Sequence, residues 1–125
     1  MSAKETMGDT IARFRLRAPG ATVEKALDLL VDTGATYSWY DRDVLRKLGV
    51  VPSRTLRFET IEGRVVQRSV GEAVVEHDGD RATTIVVFAR RGDAQVLGAY
   101  ALEGLGLAVE PRKKRLRRLP TILAV

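Results

Sequence analysis

Cysteine is absent from the 125-residue chain. That removes disulfides, zinc-thiolate sites and cysteine nucleophiles, and it gives no sign of an oxidising compartment. Histidine occurs once, at His77. With no second histidine and no cysteine beside it, it reads as an exposed turn residue rather than a metal ligand, and a serine triad would have to recruit that single ring. Long apolar runs are also missing: no segment approaches the roughly 20 apolar residues of a membrane span. The opening "MSAKETMGDT" is polar and charged where a secretory leader needs an apolar stretch. The expectation is a cytoplasmic protein with no membrane partner, no metal and no other cofactor.

What is present suits one domain over residues 1–125. At 45% hydrophobic content, a chain of this length buries roughly two thirds of its unfolded surface around a single core. The net charge of +5 suggests nucleic acid until it is located. "RKKRLRR", Arg112 to Arg118, carries six positive charges and no acid, which leaves the rest of the chain at −1. The segment has no aromatic residue on which bases could stack, and its alternation also describes a strand with one solvated face. Nucleic-acid binding is therefore expected to be weak and non-specific at most.

Strand patterns dominate. "TIARFRLRA" alternates through Ile11, Phe14 and Leu16 and ends in the turn dipeptide Pro19-Gly20, and "ATVEKALDLLV" then becomes continuously apolar as it approaches Asp32. "YDRDVLRKLGV" puts Val44, Leu45 and Leu48 on one helical face, with Asp41 as N-cap and Gly49 as stop. Glu62-Gly63 and Asp78-Gly79 signal two hairpins with long ribbons. "AQVLGAYALEGLGL" predicts a short strand followed by a helical turn ending at Gly104 or Gly106. A last hairpin should turn near Pro111 to Lys114, leaving "TILAV" as an apolar tail. The class is mostly β with one or two short helices.

"LLVDTGAT", Leu29 to Thr36, with Val96-Leu97-Gly98 and a helical segment some sixty residues later, resembles the retropepsin-like aspartic proteases, including their small single-lobe bacterial relatives. The resemblance runs from about Thr10 to about Leu119. It implies a closed-barrel-like retropepsin fold and an aspartic endopeptidase. Hydrolysis without a metal needs one carboxylate to take a proton from water and a second carboxyl group to polarise the scissile carbonyl. The chain holds one Asp-Thr-Gly triplet, so the resemblance implies a homodimer with Asp32 from each subunit. Catalytic roles fall on Asp32, on Thr33, whose hydroxyl would reach the partner's loop, and on Gly34, which allows the tight turn. Substrate would pass Ala35, Thr36 and Tyr37. The "FETIEGRVV" hairpin would be a flap over a peptide, with Gly63 near its tip and Ile61, Glu62 and Val65 as contacts.

Two features depart from the retroviral pattern. Thr36 and Ala99 stand where those members carry a paired acid and arginine, which implies a divergent branch whose dimer is stabilised differently. Among the remaining residues, Asp41, Asp43 and Glu103 suit capping or solvated roles. Ser38 has no base near it in sequence, and Trp39 and Tyr40 are expected to pack under the loop, with Tyr37 or Trp39 lining a pocket as the alternative. Residues 1–9 are expected to be a flexible N-terminus, and 120–125 a strand that joins the dimer. The rival reading is a non-proteolytic module of the same fold that binds a peptide or nucleic acid, using its groove or its basic hairpin.

Overall fold

The computed structural model describes residues 9–125; apart from Asp9, the expected flexible N-terminus lies outside them. Among the described residues, nine strands and two helices follow in order: β1 (Thr10–Arg17), β2 (Glu24–Val31), β3 (Ser38–Asp41), α1 (Arg42–Lys47), β4 (Arg54–Glu59), β5 (Val65–His77), β6 (Asp80–Ala89), β7 (Val96–Leu97), α2 (Ala99–Leu105), β8 (Leu107–Glu110) and β9 (Arg115–Arg118). The large sheet runs β1-β2-β7-β3-β6-β5-β4, and a further pairing of β1 with β5 closes six strands into a ring. Closure removes most free edges. β4 stays outside the ring as the outer strand of the β4–β5 hairpin.

Period-two alternation sets what the barrel contains. On β2, Leu27, Leu29 and Val31 point inward, opposite Phe14, Ala12 and Thr10 of β1, and share one core with Leu16, Val75, Val86 and Leu97. One expectation needs correction here. Ile11 is exposed and Thr10 is buried, because inward residues of β1 keep the parity of Phe14 and Leu16. Each fully buried Leu, Val or Phe contributes about 1.5–3 kcal/mol of transfer free energy, so this alternation dominates the stability of the ring.

The helices plug the barrel from outside. Asp41 caps α1 as expected, its Oδ1 accepting from the N–H groups of Asp43 (2.8 Å) and Val44 (3.1 Å), while Leu45 and Leu48 are buried and Gly49 follows with φ of +89°. α2 buries Ala101, Leu102 and Leu105 and ends in the left-handed Gly106. The two-residue Asp78-Gly79 turn, with both φ angles positive, joins β5 to β6 as a primed hairpin. Its neighbour His77 is not the free turn residue expected: the ring is partly buried against Phe14, with Nδ1 3.0 Å from the Arg13 carbonyl oxygen. β8 and β9 form a separate two-stranded sheet. Arg118 anchors it to the β5–β6 turn through Asp80 and the Asp78 carbonyl. Residues 119–125 form no strand, and Ile122, Leu123 and Val125 are exposed.

Candidate active site

The chain leaves β2 at Val31 and re-enters the sheet at β3, and β7, which comes much later in sequence, lies between them. β7 is parallel to β2 (Val31 opposite Leu97) and antiparallel to β3 (Trp39 opposite Val96). Residues 32–37 therefore arch over the end of β7. The Asp32 N–H donates to the Leu97 carbonyl (2.9 Å), and the Ala35 N–H donates to the Asp32 carbonyl (3.1 Å). The first N–H groups of α2, which no helical partner can satisfy, donate to the same arch: Ala99 to the Ala35 carbonyl (2.8 Å) and Tyr100 to the Thr36 carbonyl (3.0 Å). Main-chain bonds thus join the two segments at Thr36 and Ala99, where a side-chain ion pair is lacking.

Two residues make that close approach feasible. A Cβ on Gly98 would lie 2.5 Å from the Tyr37 carbonyl oxygen and 2.8 Å from that of Ala35, so only glycine fits there. Its N–H donates to Ser38 Oγ (3.0 Å) in a buried position. Ser38 is therefore a support for the loop.

The Asp32 side chain is exposed in the single chain. One oxygen, Oδ1, accepts from the Gly34 N–H at 2.9 Å, which fixes the carboxylate's direction and leaves its other oxygen free. It faces a cleft of about 380 Å³ whose opposite wall is the tip of the β4–β5 hairpin. Of the residues expected to contact substrate, Ala35, Ile61 and Glu62 line this cleft. Thr36, Tyr37, Gly63 and Val65 do not. Val66 lines it in place of Val65, because the side chains of β5 alternate and Val65 lies on the solvent side. Tyr37 turns away to meet Phe58 and Tyr100 edge-on. Trp39 takes the alternative of its two expected places and lines the cleft, braced by Phe58 with ring centroids 5.0 Å apart; Tyr40 packs against the core.

Thr33 faces the other side of the arch. It borders a groove of about 510 Å³ whose walls include Thr10, Val31, Leu102, Leu107 and Val109. The loop thus separates two hollows, one reached by the carboxylate of Asp32 and one by Thr33.

Sequence reasoning missed the cleft's far end. Gly92, Asp93 and Ala94, from the turn between β6 and β7, line it. Asp93 pairs with Arg68 through Nε–Oδ2 (2.7 Å) and Nη2–Oδ1 (2.9 Å). The hydrogen bonds from Arg68 hold the Asp93 carboxyl below its usual range despite burial, and the pairing raises Arg68 in turn. Among the described residues, no group of three His, Asp or Glu side chains is placed to hold a metal ion, and no helix is long and apolar enough to cross a membrane.

Comparison with known proteins places these features in a family. No curated protein sequence matches the chain. Among solved structures it is similar to the solution structure of the simian foamy virus (mac) protease, with a TM-score of 0.49 and 20% identity over 73% of this chain and 91% of the other. Residues 18–100, which contain the arch, both walls of the cleft and Gly98, match the family model described as aspartyl protease. The chain belongs to the aspartyl protease family.

Proposed function

We propose that the protein is an endopeptidase in which two copies of Asp32, one from each subunit of a homodimer, activate a single water molecule. The observation that carries this reading is the arch itself: a carboxylate aimed by Gly34, on a backbone pinned to Leu97, Ala99 and Tyr100, opening onto a cleft of about 380 Å³ walled by the β4–β5 hairpin. Such fixed placement is what acid–base chemistry on an amide requires.

Like charges held close together do not both ionise, so the two carboxyl groups share a proton. The ionised one takes a proton from water as the oxygen attacks the scissile carbonyl carbon. The protonated one gives its proton to the carbonyl oxygen. In the resulting diol the C–N bond then breaks, the departing nitrogen takes a proton from one carboxyl group, and a hydroxyl proton returns to the other. The β4–β5 hairpin acts as the flap, with Ile61 and Val66 against the peptide and Trp39 as the facing wall.

Two features support a second copy of the chain as the partner. Thr33 is exposed on the groove side of the arch, where a partner's loop would meet it, and the apolar tail around Ile122 and Leu123 pairs with no strand among the described residues. The test is Asp32→Asn, assayed on a diverse peptide mixture across pH 4–7, with and without a transition-state-like aspartic protease inhibitor. Sedimentation at several concentrations follows association. Cleavage should vanish in the variant while fold and association persist. Undiminished cleavage would overturn the assignment.

A further inference from the structure

The Arg68–Asp93 pair stands apart from the other ion pairs of the protein. Arg13–Asp28 is more than half exposed on both sides, whereas the Arg68 and Asp93 side chains are only 12% and 16% exposed. Asp93 Oδ2 also accepts from the Arg90 N–H (2.8 Å), and the Asp93 N–H returns to the Arg90 carbonyl (3.0 Å), so the carboxylate closes its own turn around Gly92. Arg68 is held on its side by a 2.7 Å bond from Nη1 to the Gln67 carbonyl. Both ends of the bridge are thus fixed before they meet, and little side-chain freedom is lost in joining them.

Its position gives the bridge a purpose. Arg68 lies two residues beyond Val66 on β5, on the same face, and Val66 lines the cleft. Asp93 lies in the turn that closes the cleft's far end and leads into β7, the strand whose Leu97 carbonyl holds the Asp32 N–H. These residues are 25 positions apart in sequence, and the bridge is the side-chain link between the stem of the hairpin and that turn.

We infer that Arg68 and Asp93 are positioning residues for substrate: their bridge sets the distance between the hairpin stem and the 90–94 turn, and so the width of the cleft where a peptide side chain lodges. The inference rests on the proposed catalytic role of Asp32. The bridge touches neither the arch nor the reacting atoms. Opening it therefore weakens peptide binding and leaves the chemical step of bound peptide intact.

Two measurements test this on Asp93→Asn and Arg68→Met. In an otherwise unaltered chain, KM should rise about five- to tenfold and kcat stay within about twofold; Arg68→Lys, which keeps charge but loses the fork, should fall between. In the Asp32→Asn background, amide hydrogen exchange at residues 90–94 should speed up at least tenfold on breaking the bridge, with β1 and β2 unchanged. A merely structural pair would lower the melting temperature and the active fraction with KM unmoved, and that result would overturn the inference. Unchanged exchange at residues 90–94 would overturn it equally. If the unaltered chain cleaved no peptide, the catalytic reading would fail, and the exchange measurement would still decide whether the bridge holds the turn.

Discussion

Four hydrogen bonds tie residues 32–38 to residues 97–100, one of them to a buried serine hydroxyl. The tip of the β4–β5 hairpin across the cleft is held by bonds among its own residues: Thr60 N–H to the Arg64 carbonyl, Gly63 N–H to the Thr60 carbonyl, and Arg64 N–H to Thr60 Oγ1. Ile61 at that tip is 95% exposed. Atoms that must meet a scissile bond within a fraction of an ångström sit on the cross-linked side. Under the proposed function, the residues that part to admit a peptide sit on the side with little tertiary anchoring, where local opening costs least. The contrast is a division of labour that substitutions can break or sharpen.

The largest effect belongs to Gly98→Ala. The added Cβ would fall 2.5 Å from the Tyr37 carbonyl and 2.8 Å from the Ala35 carbonyl, both main-chain atoms on the underside of the arch. No side chain can swing aside to relieve them. A loss of about 4 kcal/mol or more is expected, at the upper end for single substitutions and a large part of a typical stability of about 5–15 kcal/mol. Denaturant titration reads it. A variant as stable as the parent would mean that the arch yields, and its rigidity could then not explain the placement of Asp32.

Ser38→Ala comes next. It leaves the Gly98 N–H buried without an acceptor, at a cost of about 1–3 kcal/mol, again read by denaturant titration. Activity should fall with stability, since the hydroxyl supports the arch and does not touch substrate. Adding exogenous nucleophiles or serine-directed reagents should leave cleavage unaffected.

These two residues also show how far the sequence could be read. The Asp-Thr-Gly triplet and Val96-Leu97-Gly98 pointed to one site through the family resemblance, which could be seen because each is compact in sequence. The mostly-β class followed from alternation and turn dipeptides such as Asp78-Gly79, whose chemistry is local, while the closure of the ring was implied only by the family resemblance. What was missed depends on parity or on distant contacts. The alternating pattern offers Ile11 for the core and Val65 for the cleft, and in both cases a neighbour, Thr10 or Val66, holds that place, since a strand offers two equally regular faces and only tertiary packing selects one. Trp39 reaches the cleft because β7 inserts beside β3 and Phe58 braces the indole. No local signal joins Arg68 to Asp93 across 25 residues.

A smaller effect tests the hairpin's stem, where the loose side of the cleft does have an anchor. Arg68 lowers the Asp93 carboxyl, chiefly through its side-chain hydrogen bonds, and burial opposes this while Arg90 assists. A carboxyl whose folded value lies below its unfolded value, about 3.9 for Asp, adds stability that is present above the unfolded value and lost as pH falls through the folded one. Arg68→Met should therefore cost about 1–2 kcal/mol near neutral pH, and the difference from the parent should shrink as pH falls below about 4. Urea titrations at several pH values measure it. A difference independent of pH would show that Arg68 acts through packing alone.

The smallest effect on stability is expected from Ile61→Ala, at the hairpin tip. With its side chain almost wholly in solvent, truncation removes no buried area and should change stability by no more than about 0.5 kcal/mol. Ile61 borders the cleft, so the proposed peptide would cover its side chain and bury apolar area that the free protein leaves in water. KM should therefore rise several-fold while the unfolding midpoint holds still, the reverse of the pattern at Gly98. Parallel urea titration and steady-state kinetics on one preparation separate the two quantities. A shifted midpoint with an unchanged KM would place Ile61 in the folded structure rather than on substrate. The hairpin tip would then belong with the arch, and the contrast between the two walls would disappear.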